Sequence, residues 1–135
     1  MNWVYSLLSS TILFVTTCGC NSPTAAEEFS DRFGVVLPVG ATLLQKDVKG
    51  VRGGVFTFSV RKADLLTIKA TASGYSAWCP VKQGMAFEAA GRKFHGLRDV
   101  RGEYAMGKPT DGLCPVLIVD MEREILYGLM LTGFM

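Results

Sequence analysis

The sequence predicts an α+β domain, a small antiparallel sheet with one main helix packed on one face, and three observations carry that prediction. Two pairs of apolar segments flank short Gly-rich or charged turns, as the arms of hairpins do. One stretch, Lys62 to Ser73, instead repeats its apolar residues at helical spacing. Behind an apolar leader only about 115 residues remain, which suits one domain with one core.

Ala41 to Asp47 reads as the first strand. A turn follows around residues 49–54, and Val55 to Val60, rich in β-branched and aromatic residues, reads as the second strand. Gly53-Gly54 leads into a strand and lacks a Gly-Lys-Ser/Thr ending, so the loop is a turn and not a phosphate cradle. In Lys62 to Ser73, Leu65, Ile68 and Ala72 share one side, with Asp64 the expected N-cap and Gly74 suited to the position after the C-cap. Thr67, Ile68 and Thr71 are β-branched and lower its intrinsic propensity, so packing on the sheet must hold this helix. Residues 80–112 carry glycines at 84, 91, 96, 102, 107 and 112, a spacing that suits short strands and loops. Leu113 to Val119 and Ile125 to Phe134, joined by the charged stretch Asp120-Met121-Glu122-Arg123-Glu124, form the clearest hairpin, and both arms are apolar enough to be buried on two faces.

Ahead of the domain, Trp3 to Val15 is an uncharged, mostly apolar run of thirteen residues, short of the roughly 20 that span a bilayer. It ends in Thr16-Thr17-Cys18-Gly19-Cys20. This segment resembles the signal peptide of a bacterial lipoprotein, in which a small residue precedes the cysteine that receives the lipid. The resemblance implies that residues 1–19 are removed and that Cys20 is lipidated, with Gly19 at the cleavage position; Cys18, behind the larger Thr17, is the alternative. Asn21 to Ser30 is polar and contains a proline, so residues 20–31 are expected to be a flexible tether and residues 32–135 the folded domain. The order of Gly-rich hairpin, helix and charged-turn hairpin is also similar to that of several small bacterial lipoproteins, and it brings no catalytic motif with it.

Processing at Cys20 leaves Cys79 and Cys114 as an even pair in an oxidising compartment, and one disulfide between them is expected. Each precedes a proline, which biases both cysteines toward extended backbone. Closing that loop would stabilise the domain by about 4 kcal/mol. A redox role would call for a Cys-x-x-Cys pair, which the chain lacks.

Fourteen basic and twelve acidic residues leave a net charge of +2, too little to attract nucleic acid. Within that balance Arg92, Lys93, Arg98 and Arg101 gather four cations in ten residues and form the expected binding face for an acidic envelope partner or a membrane surface. Asp99 and Glu103 lie beside them, and Phe94 alone is no stacking ladder for bases. His95, the single histidine, has no local nucleophile signature around it, and with the cysteines assigned to a disulfide no zinc site is indicated. The expected protein is a non-catalytic binding or assembly module, an inhibitor among its possible roles, with neither cofactor nor metal. It is expected at the cell envelope, at the outer face of the inner membrane or in the outer membrane, with an envelope protein as partner. The alternatives are a small hydrolase using His95 and a soluble secreted or periplasmic protein.

Overall fold

A computed structural model of the chain describes residues 24–47, 54–82, 87–89, 92–94, 97 and 99–132. The expected signal peptide, Cys18, Cys20, His95 and Arg98 lie outside the described residues, and Arg92 and Lys93 are described in their backbone alone.

Thr24 opens the first helix, α1 (Ala25–Phe33). Its Oγ1 accepts the Glu27 amide at 3.2 Å, which makes Thr24 the N-cap, and donates to Glu27 Oε1 at 3.0 Å. Glu27 and Glu28 sit at the positive end of the helix dipole and Arg32 at the negative end. Gly34, at φ 67°, closes the helix in the left-handed conformation, its amide donating to the Ser30 carbonyl. Phe29 and Phe33, one turn apart, are 0% and 3% exposed. The part of the expected tether that is described, residues 24–31, is instead capped and helical, because two aromatics at helical spacing anchor a short polar helix once a sheet lies beneath it.

Among the described residues the strands are β1 (Thr42–Asp47), β2 (Val55–Ser59), β3 (Cys79–Pro80), β4 (Phe87–Ala89), β5 (Arg92–Phe94), β6 (Glu103–Met106), β7 (Leu113–Asp120) and β8 (Ile125–Thr132). Six of them form one antiparallel sheet in the spatial order β1-β2-β8-β7-β6-β3, while β4 and β5 pair separately. The α+β class and the antiparallel sheet are as expected, but two helices, α1 and α2 (Lys62–Thr71), share the face where one was expected. Phe29, Phe33, Leu65 and Ile68 from these helices pack on Phe56, Phe58, Leu117, Val119 and Leu126 of the sheet. Phe29 stacks on Phe33 with ring centroids 4.6 Å apart and meets Phe58 edge-on at 5.3 Å. Beneath them lies Gly128, where an added Cβ would stand 2.3 Å from the Phe29 ring and 2.9 Å from that of Phe33. A missing side chain at that point of β8 is what lets α1 rest on the middle of the sheet. The opposite face buries Val55, Val116, Ile118, Leu129 and Leu131 against Phe87, Leu97 and Val100. Both faces are covered, which is why β7 and β8 are apolar without alternation.

Helix α2 does not start on Asp64. Arg61 occupies the cap position without a side-chain bond, and Asp64 pairs with Arg61 at 3.5 Å. The Lys62 amide donates instead to Glu124 Oε2, at 2.7 Å, in the β7–β8 turn.

The expected disulfide is not formed. Cys79 is an exposed free thiol and Cys114 a buried one. Cys79 pairs with Tyr104 and Tyr104 with Ile118, so Cys79 lies two strands from Ile118, and Cys114 is four residues further along β7. Strand spacings of about 4.8 Å and rises of about 3.3 Å per residue then separate the two Cα atoms by about 16 Å. A disulfide tolerates no more than about 7 Å.

Candidate functional site

Of the four cations expected to form a binding face, only Arg101 has a described side chain, and its Nε lies 3.5 Å from Asp99 Oδ1. Asp99 also engages Arg123, whose Nη2 donates to Asp99 Oδ2 and whose Nη1 donates to the Asp99 carbonyl, both at 3.2 Å. The Arg123 hydrogen bond, and after it the charge of Arg101, hold the Asp99 carboxyl below its ordinary value. Asp120, 2% exposed, accepts the amides of Glu122 and Arg123 at 3.1 and 3.0 Å through Oδ1 and faces Arg123 Nε at 3.7 Å. Asp120 closes the β7–β8 turn, and Arg123 of that turn holds Asp99. In β5, the register sets Arg92 opposite Ala89 and Lys93 opposite Glu88. Among the described residues Arg101 is paired with Asp99, and the side chains of the other three cations lie outside them.

On the sheet face that packs against Phe87, Leu97 and Val100, Thr57 of β2 stands opposite Tyr127 of β8. The Thr57 hydroxyl is buried with no hydrogen-bond partner among the described residues. Burial, with the Asp120 charge adding to it, pushes the Tyr127 phenol up, so it stays protonated at neutral pH and is no base there. Cys114 is likewise held as a thiol, burial raising its pKa while its Sγ lies 3.4 Å from the Gly107 carbonyl. Among the described residues no three His, Cys, Asp or Glu side chains are grouped to hold a metal ion, and no helix is long and apolar enough to cross a membrane.

The unusual surface lies elsewhere, on the α1 side of the molecule. After Gly34, Val35 turns into the core, but Val36 is 84% exposed and Val39 fully exposed at 106%. A cleft of about 420 Å³ separates this loop from α2, lined on its far side by Asp64, Thr67, Ile68 and Thr71. A second, of about 330 Å³, lies between Val36-Leu37 and the outer face of α1, where Ala26, Glu27, Ser30 and Asp31 line it. The loop leads into β1, which is one edge of the sheet; the other edge, β3, is only two residues long and includes Pro80. Residues 42–46 are all exposed, among them Leu43 at 41% and Leu44 at 55%, and a bulge interrupts the register between Leu43 and Gln45. Lys46 holds Glu28 at 3.0 Å and so ties the edge to α1.

None of this was singled out from the sequence. The local signals were there: a Gly34-to-Gly40 segment with Pro38 at its turn, and two adjacent leucines in a strand with an open side. Comparison with protein families, with curated proteins and with solved structures finds no match.

Proposed function

We propose that this chain is a non-catalytic lipoprotein of the bacterial cell envelope, held by a lipid on Cys20, whose domain binds an envelope protein along the free edge of β1. The observation that carries the binding role is that edge: six residues long, exposed over residues 42–46, with Leu43 and Leu44 at the surface. An open edge offers a row of backbone N–H and C=O groups, onto which an extended partner segment adds as a further strand. The leucines supply apolar contacts, and the bulge at Leu43/Gln45 restricts the register in which a strand can join. Gly19-Cys20 at the end of the apolar run supports the anchor, with the domain at the outer face of the inner membrane or in the outer membrane. Arg92, Lys93, Arg98 and Arg101 have a secondary part in this reading, steering an acidic partner toward the domain rather than forming the contact.

The test is a photo-crosslinking amino acid placed at Leu44 in living cells, with the exposed turn residue Glu122 as the control position. A single envelope-protein adduct from position 44, absent from position 122 and lost when Leu43 and Leu44 are both changed to Lys, is the expected result. An adduct indifferent to those substitutions, or none, contradicts the edge assignment. Turnover in a substrate panel that disappears with His95→Ala would contradict the non-catalytic reading.

A further inference from the structure

We infer that Val36 and Val39 dock into the bilayer surface beside the lipid anchor, so that the domain lies against the membrane in one orientation. The inference rests on lipidation of Cys20, as proposed above. From Cys20 to the N-cap Thr24 is four residues, a reach of at most about 14 Å. The first turn of α1 is therefore held close to the headgroups.

Val36, one of the two exposed valines, lies beside that same helix. Gly34 ends α1 in its left-handed conformation, and Val36 and Leu37 of the loop that follows line a cleft with Ala26, Glu27, Ser30 and Asp31 of the helix. Val36 and Leu37 face Ala26 and Glu27, in the first turn of the helix, across the cleft of about 330 Å³. A turn closed by the Ala41 amide on the Pro38 carbonyl, at 3.0 Å, sets Val39 at its tip. Pro38 fixes one of the backbone angles there, so little ordering is needed when the loop meets a surface.

The Pro38–Ala41 turn, with Val39 bare at its tip, lacks the concave, complementary shape of a protein interface core, whereas a fluid bilayer accommodates it. The side chains flanking Val36 across the cleft are Glu27 and Asp31, which gives this contact no cationic attraction to anionic headgroups. Docking here is apolar and insensitive to salt. Several acyl chains on a lipoprotein already secure attachment, so the loop orients the domain and is not needed to retain it.

The experiment uses the full-length lipidated protein in phosphatidylcholine vesicles, with an environment-sensitive fluorescent amino acid at position 39 and, separately, at position 122. Expected are a blue-shifted emission at 39 that brominated phosphatidylcholine quenches and high salt leaves unchanged, and an aqueous, unquenched emission at 122. V36S/V39S should still co-sediment with the vesicles while the domain loses fluorescence anisotropy as it swings free. Aqueous emission at 39, or unchanged anisotropy in V36S/V39S, on protein that co-sediments overturns the docking and leaves the anchor intact. Protein that carries no lipid and does not co-sediment overturns the anchor, and the docking with it.

Discussion

The Glu124 carboxylate accepts the backbone N–H of Lys62 at 2.7 Å across 62 residues of sequence, joining the turn of the C-terminal hairpin to the first turn of α2. The Glu124 carbonyl also accepts the Val60 amide at 3.0 Å. Glu124 holds this position at φ 56°, a conformation unfavourable for any residue but glycine. Glu124→Ala should lower the unfolding free energy by about 1 kcal/mol, the usual worth of an N-cap. Glu124→Gly should cost less, since it loses the same cap but relieves roughly 1 kcal/mol of backbone strain. Urea unfolding of the two variants checks this; a glycine variant no more stable than the alanine one would mean that strain at φ 56° is not what separates them.

Phe29 and Gly128 form one packing unit. Phe29→Ala should destabilise the domain by about 3–5 kcal/mol, the range for a buried aromatic, where a residue of a flexible tether would cost almost nothing. Gly128→Ala should cost about 1–3 kcal/mol by forcing the Phe29 and Phe33 rings apart. The two losses should fall short of additivity, because the added methyl group occupies part of the space that Phe29→Ala vacates. Additive losses in a double-mutant cycle would show that the two positions do not touch.

Free thiols at positions 79 and 114 are expected in protein recovered from the envelope. Alkylation under native conditions should modify Cys79 alone, since Cys114 is buried and its thiol pKa is pushed up by that burial; both should react after unfolding. Cys79→Ser should shift stability by no more than about 0.5 kcal/mol, as an exposed position does, against the roughly 4 kcal/mol a disulfide would have contributed. Mass mapping that recovers a bridged Cys79–Cys114 peptide would contradict the register of β3 on β6 and of β6 on β7.

How legible each part was depended on whether its cause is local. Residues 113–132 announce their hairpin because both arms are covered on two faces and so are apolar throughout. Residues 25–31 read as tether because most of them are polar or small and Pro23 precedes them, yet Thr24-x-x-Glu27 followed by Phe29 and Phe33 is a usable signal. The start of α2 was misassigned to Asp64 because its real cap, Glu124, comes from a distant turn. The cysteine count was even, but pairing depends on strand register, which a count does not contain. Phe33 to Gly40 mixes apolar residues with turn residues; only the fold divides the valines, Val35 facing in and Val36 and Val39 facing out.

The central claim, a domain held at the membrane through Cys20, is tested most directly by the mass of the N-terminal peptide of the mature protein isolated from bacterial membranes. The account predicts a peptide that begins at Cys20 and carries a diacylglyceryl group, with the Cys20→Ala chain neither incorporating labelled palmitate nor pelleting with membranes. A mature chain that begins elsewhere without acyl groups, or a Cys20→Ala chain that still incorporates palmitate, would contradict it.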